Sequence, residues 1–167
     1  PIIAYINLSA AYEDMGEYEK AIEALKSIEK YSTNNYKYYH NLGSIYMKMK
    51  QCEEALPLLE KAVQIRPNAP GSFFAMGGCY EILSNKKKAE EYYRHVTESV
   101  AQSGQDYIFQ GIAFSKLEDK ERAIGSFFDA VKADPLDVEV RMFLGNSLLE
   151  IRQYDIAFKH YFVASEI

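Results

Sequence analysis

Residues 36–67 read YKYYHNLGSIYMKMKQCEEALPLLEKAVQIRP, and this stretch decides the fold. Leu42, Gly43 and Tyr46 fall on one face of a first amphipathic helix. Ala55, Leu59 and Ala62 fall on one face of a second, which Pro67 stops. Shifted by 34 residues in either direction, the same frame fits again.

The aromatic of the first helix recurs as Tyr12, Tyr46, Tyr80 and Phe114, with Leu148 in fifth place. Three residues before it stands Ser9, Gly43, Gly77, Gly111 or Gly145. The second helix carries Ala21, Ala55, Ala89, Ala123 and Ala157. A large residue follows each alanine, namely Leu25, Leu59, Tyr93, Phe127 or Tyr161, and then Ile28, Ala62, Val96, Ala130 or Ala164. A glycine inside a helix costs about 1 kcal/mol against alanine. Four of them in one column need a structural reason, and the close approach of a partner helix supplies it. The alanine column serves the same approach from the other side, where a larger side chain costs about 1–3 kcal/mol by overpacking.

The links within each pair are short and polar: Gly16-Glu17, Lys50-Gln51, Ser84-Asn85 and Glu118-Asp119. The links between pairs carry Thr33-Asn34-Asn35, Pro67-Asn68-Ala69-Pro70 and Asp134-Pro135-Leu136-Asp137, which are helix-stop and N-cap chemistries. Pro57 is read near the first turn of its helix. No strand pattern occurs. The expectation is an all-α chain of five antiparallel helix pairs at about 2–35, 36–69, 70–103, 104–137 and 138–167, stacked into a superhelix as a single repeat domain.

These columns resemble the tetratricopeptide repeat family, whose pattern runs W-x2-L-G-x2-Y, then A, F, A and P. The resemblance covers four full repeats and most of a fifth. Tyr5, Tyr39, Phe73, Tyr107 and Arg141 replace the tryptophan, and Gln110 stands where the fourth repeat expects leucine. The closing proline survives only as Pro67 and Pro135, with Thr33 and Ala101 elsewhere, so the third second-helix is expected to end later or less sharply. The resemblance implies a right-handed solenoid and a protein-binding scaffold without catalysis.

Composition narrows the function further. The chain has 167 residues, 48% apolar and 26% charged, which is globular and not disordered. A net charge of −5 argues against nucleic acid as a partner. No apolar run approaches the roughly 20 residues that span a bilayer. Cys52 and Cys79 form no C-x-x-C motif and read as free thiols of a reducing compartment, so the expected location is cytoplasmic. The chain starts at Pro1 and ends at Ile167 inside a helical pattern, which reads as a piece of a longer protein. His40, His95 and His160 lack metal spacing, no phosphate loop occurs, and neither a metal nor a cofactor is implied. Lys86-Lys87-Lys88 reads as a solvated outer run.

In tetratricopeptide proteins the first helices line the concave face, and that face can be read at 3.6-residue period. Its central column is Ile6, His40, Phe74, Ile108 and Met142, expected to stand open because the core-facing columns lie opposite. The next turn brings Ala10, Ser44, Gly78, Ile112 and Asn146, and a flanking column brings Asn7, Asn41, Ala75, Phe109 and Phe143. Phe109 and Phe143 read equally well as core. The first two repeats are polar on this face and the last three apolar. The expected partner is therefore a protein or peptide segment with apolar side chains, its backbone bonded by Asn7 and Asn41. Self-assembly is the alternative, as is an arm that recruits substrate for a catalytic domain outside this chain. Family co-chaperones grip an acidic heat-shock C-terminal tail with Lys, Asn, Asn, Lys and Arg. The corresponding positions here hold Ile6, Ala10, Asn41, Gly71 and Ala75, so no such tail is expected.

Overall fold

The structure is a computed structural model and describes residues 2–167. Among these residues ten α-helices follow one another and no strand occurs. The first helices of the pairs are α1 (Ile2–Asp14), α3 (Tyr36–Lys48), α5 (Pro70–Ile82), α7 (Gly104–Lys116) and α9 (Val138–Glu150). The second helices are α2 (Tyr18–Lys26), α4 (Cys52–Ile65), α6 (Lys86–Glu98), α8 (Lys120–Ala133) and α10 (Tyr154–Glu166). The class is the all-α helical-repeat solenoid expected from the columns.

Each pair turns on one residue in the left-handed region: Gly16 (φ 74°), Lys50 (61°), Ser84 (57°), Glu118 (64°) and Arg152 (62°). These are 34 residues apart, and only one is glycine. The N–H of the following residue reaches back to the carbonyl of the aromatic column. The bonds are Glu17 to Tyr12 at 2.8 Å, Gln51 to Tyr46 at 2.9 Å, Asn85 to Tyr80 at 2.8 Å, Asp119 to Phe114 at 2.9 Å and Gln153 to Leu148 at 2.9 Å. This is the Schellman closure, which satisfies carbonyls that a helix end leaves open.

Inside the pairs the glycine column does what its composition implies. A Cβ added at Gly43 would lie 2.7 Å from Leu59 Cγ, at Gly111 2.5 Å from the Phe127 ring and at Gly145 2.6 Å from the Tyr161 ring. The alanine column is wholly buried, with Ala21, Ala55, Ala123 and Ala157 at 0% exposure and Ala89 at 3%. Ser9 takes the glycine place in the first pair. It is fully buried, and its hydroxyl bonds the Ile6 carbonyl at 2.8 Å.

By packing, the chain divides into two compact units, Pro1–Tyr92 and Tyr93–Ile167. In the first, Leu25 of α2 and Ile28 just after it pack with Tyr38, Leu42 and Ile45 of α3. Leu59 of α4 packs with Met76 and Cys79 of α5. In the second, Ile124 and Phe127 of α8 pack with Leu144 and Leu148 of α9.

Two local expectations need correction. Where the closing proline is missing, the second helix does not run on: α6 ends at Glu98, one residue before the places equivalent to the ends of α4 and α8. Helix α2 stops at Lys26, where the Ser27 hydroxyl takes the Glu23 carbonyl at 3.0 Å and a 3-10 turn (Glu29–Tyr31) follows. Helix α6 stops at Glu98, where the Ser99 hydroxyl takes the His95 carbonyl at 2.7 Å. Pro57 lies in the second turn of α4 and leaves the Glu53 carbonyl without its helical donor, on a solvent-exposed stretch.

Two opposite substitutions test the hairpin. Gly111→Ala sets a methyl against Phe127 and is expected to lower stability by about 1–2 kcal/mol despite alanine's better helix propensity. Lys50→Gly relieves the left-handed turn and is expected to raise stability by about 0.5–1 kcal/mol. Urea unfolding of both checks the pair; a gain for Gly111→Ala would refute close approach as the reason for the glycine.

Candidate functional site

In the first unit α3 lies between α1 and α5. The way these first helices meet decides which residues stay open. Ile6 is 5% exposed and packs in one cluster with Tyr38. His40 Nδ1 lies 3.0 Å from the hydroxyl of Ser72, which is fully buried. In the second unit Ile108 is 9% exposed and packs with Val140. Each pair is 32 residues apart. The central column thus faces the next first helix, and the expectation that it stands open is corrected at Ile6 and Ile108. Phe74 is half-buried. Met142 alone remains open at 43% exposure, and within this sequence no first helix follows to cover it.

The neighbouring columns are more accessible in the first unit. Asn7 and Lys37 are exposed, and Asn41 and Ser44 are half-buried. No described side chain bonds the amides of Asn7 and Asn41 or the hydroxyl of Ser44. Lys48 Nζ pairs with Glu13 at 2.8 Å and joins α3 to α1. A Cβ at Gly78 would touch Met47 Sδ at 3.5 Å, so α5 passes close to α3 on this face.

The second unit divides its expected site residues differently. Phe143 stacks on Phe127 at 5.6 Å and 10°, and Ile112 packs in the same cluster, so both belong largely to the core. Phe109 is half-buried. Asn146 is exposed, but its Oδ1 accepts the Tyr161 hydroxyl at 2.6 Å and holds the pair closed. Leu149, one turn beyond Asn146, is 41% exposed. Beside Ile108 a 230 Å³ recess is lined partly by Gln105, Asp134 and Asp137. Both carboxylates already accept backbone N–H groups, from Leu136 at 3.1 Å and Val140 at 3.0 Å, which makes the recess a capping feature.

Two residues at the site were not read from the sequence. The Tyr36 ring stacks on His40 at 5.5 Å and 13°, and the Arg66 guanidinium lies 5.2 Å from the Tyr36 centroid. The four-residue spacing of Tyr36 and His40 is the signal that could have found the stack. Burial, aided by the Arg66 charge, pushes the His40 imidazole down to about 4. His160 is lowered too, by burial and then by Arg141. Lys86, Lys87 and Lys88 are exposed, and Asn85 Oδ1 caps their helix by accepting the Lys88 N–H at 3.2 Å. Among the described residues no cluster of three metal-ligating side chains occurs, and no helix is long and apolar enough to cross a membrane.

Paired helices, closed by one turn type and packed through one repeated column, define a helical-repeat protein-interaction module, in general non-catalytic. Three tetratricopeptide repeat family models match residues 2–35, 36–102 and 110–162, and the chain belongs to the tetratricopeptide repeat family. It is similar to human Protein O-mannosyl-transferase TMTC1, 25% identical over 99% of this chain and 19% of that protein. It is also similar to Anaphase-promoting complex subunit 3 of Schizosaccharomyces pombe, 23% identical over 89% of this chain and 22% of that one. The chain thus spans about a fifth of the length of these relatives. Among solved structures, a thermophilic tetratricopeptide protein of Thermus thermophilus superposes with a TM-score of 0.78 at 16% identity, over 99% of this chain and 91% of that one. That likeness is one of fold.

The lowered His40 group makes stability depend on pH. Its folded form binds fewer protons than an unfolded histidine between pH 6.5 and about 4. The stability this group contributes is therefore complete above pH 6.5, falls as pH drops, and is gone below about 4. The loss is about 3 kcal/mol across that window. Urea titrations at stepped pH should show a shallower slope for His40→Gln than for the parent; equal slopes would place the pH dependence elsewhere.

Proposed function

We propose that this chain is a non-catalytic scaffold that holds an extended or helical partner segment along the face of its first helices. The observation that carries the proposal is the set of polar groups at Asn7, Asn41 and Ser44 that no described side chain bonds. Folding does not use these amides, and they stand where a backbone lying across α1 and α3 would meet them. An exposed amide at Asn7 and a half-buried one at Asn41 suit backbone recognition, because a carboxamide both donates and accepts.

The second unit, taken by itself, carries the apolar groups of this reading. Met142 and Leu149 offer open apolar surface there, and Phe109, Ile112 and Phe143 supply its half-buried floor. In the first unit Phe74 adds a partly open ring, while His40 contributes a neutral ring edge. Ile6 and Ile108 support the face from below without touching a ligand. Asn146 is held by Tyr161 and serves only if a ligand displaces that bond. The two buried free thiols, Cys52 and Cys79, suit a reducing compartment such as the cytoplasm. Similarity to a subunit of the anaphase-promoting complex supports a role within an assembly.

The test is selection of binding peptides from a random library, followed by affinity measurement on variants. Asn7→Ala with Asn41→Ala removes two backbone contacts, each of about 0.5–1.5 kcal/mol. Binding should weaken by about 5- to 100-fold, with the melting curve unchanged. Lys87→Ala, on the exposed run, should leave affinity as it was. Binders that ignore the asparagine variants would place the site on another face.

A further inference from the structure

The first unit holds both cysteines of the chain, and its fold brings them together. Cys52 is the first residue of α4, and Cys79 lies inside α5. They are 27 residues apart in sequence, yet they share one buried cluster with Ala55, Leu59 and Met76. A side-chain hydrogen bond links the two thiols. Cys52 is 3% exposed and Cys79 0%. Among the described residues no third metal-ligating side chain joins them, so each thiol has the other as its reaction partner.

The repeat frame explains why they meet. One pair earlier the same two places hold Tyr18 and Ile45, and Tyr18 packs against the cluster that contains Ile45. The opening residue of a second helix thus reaches the first helix that follows. Folding does not need sulfur at this junction, since a tyrosine and an isoleucine fill it one repeat before. The next two places in sequence hold Lys86 with Ala113 and Lys120 with Ser147, so the second junction alone pairs two thiols.

We propose that Cys52 and Cys79 are an oxidative modification site, closing to a disulfide that locks the second helix pair to the third when a peroxide is present and reopening when thiols reduce it. Cys52 reacts first. It opens α4, where the Gln51 side chain makes no cap bond and Gln51, Glu53 and Glu54 are exposed, so local opening of this turn uncovers its sulfur. Cys79 lies deeper, and burial, followed by its contact with Cys52, pushes its thiol up, so it keeps its proton until its partner has changed. The Cys52 sulfur attacks one oxygen of hydrogen peroxide. The O–O bond breaks, a sulfenic acid forms, and the other oxygen leaves as water with the thiol proton. The Cys79 sulfur then attacks the Cys52 sulfur. The S–S bond forms, the S–O bond breaks, and the hydroxide leaves as a second water with the Cys79 proton. Two electrons pass from the two thiols to the peroxide. Gly78, next to Cys79, lies against Met47 of α3, so the lock fixes α3, α4 and α5 together. The inference does not depend on what the face of the first helices binds.

The test exposes the folded, reduced chain to hydrogen peroxide and maps its peptides by mass spectrometry without reduction. One cross-linked peptide pair carrying Cys52 and Cys79 should appear, lighter by two hydrogens than the separate thiol peptides. The melting temperature should rise by about 6–12 °C, and dithiothreitol should reverse both changes. Oxidation of Met15, which is 68% exposed, adds oxygen on another peptide and is not undone by dithiothreitol. Cys79→Ala should halt at a sulfenic acid or its further oxides on Cys52. Cys52→Ser should leave Cys79 a thiol. Neither variant should show a reversible gain in melting temperature. The parent carries the decision, so a variant that fails to fold removes only a control. A parent whose two thiols survive the peroxide overturns the proposal, as does one that ends with the two cysteines oxidised separately. A disulfide that forms only in urea, or that leaves the melting temperature where it was, overturns it as well.

Discussion

The contact between a glycine on one helix and a large side chain on its partner sets the spacing of the pairs that Gly43, Gly111 and Gly145 close. At Gly43, Gly111 and Gly145 there is no room for a methyl group before Leu59, Phe127 and Tyr161. Such spacing requires a small residue opposite as well, and the fully buried alanines supply it. It also requires a turn short enough to keep two helices antiparallel at that distance. One residue in the left-handed region achieves this, even where the residue is lysine, serine, glutamate or arginine. A non-glycine residue there is unfavourable by about 1–2 kcal/mol. The Schellman bonds and the packing beneath them offset that strain.

These features lie within one 34-residue unit, which is why the fold was legible. Glycine, alanine and turn columns announce their purpose through residue type alone, and five registers in phase leave little room for another reading. The ends of the helices were less legible. Thr33 and Ala101 do mark the absence of a proline, but α2 and α6 stop before those positions, at Lys26 and Glu98, where the hydroxyls of Ser27 and Ser99 bond last-turn carbonyls. Serine in a helical pattern does not by itself declare which choice it makes.

The site was legible in residue type and not in exposure. Helical period shows which face lies away from the partner helix, but not how neighbouring first helices are rotated against each other. That rotation places the central column over a residue 32 positions on, and so Ile6 and Ile108 are buried where His40 finds a serine. The polar residues show the same dependence on context. Asn146 is engaged by Tyr161, 15 residues away. Its counterpart Ser44 has Leu59 at that distance, which offers no hydroxyl, and remains unbonded. A tyrosine after the glycine-facing turn closes the pair over its own groove residue; a leucine leaves that residue open.

Folding and recognition therefore compete for the same helix face. Every apolar residue of the central column that meets a following first helix holds two repeats together, and is thereby withdrawn from any partner. Stability in such an array is carried between nearest neighbours, and this column carries part of it at Ile6 in the first pair and at Ile108 in the fourth. What the neighbour contact leaves open in the first unit is a set of carboxamides and a hydroxyl, and in the second it is Leu149 beside the half-buried Phe109, Ile112 and Phe143. The neutral ring of His40 sits between these demands, bonded to Ser72 on one side and stacked on Tyr36 within its own helix. Burial that lowers its basicity keeps the His40 ring itself uncharged at neutral pH, while Lys37 on the same helix stands exposed.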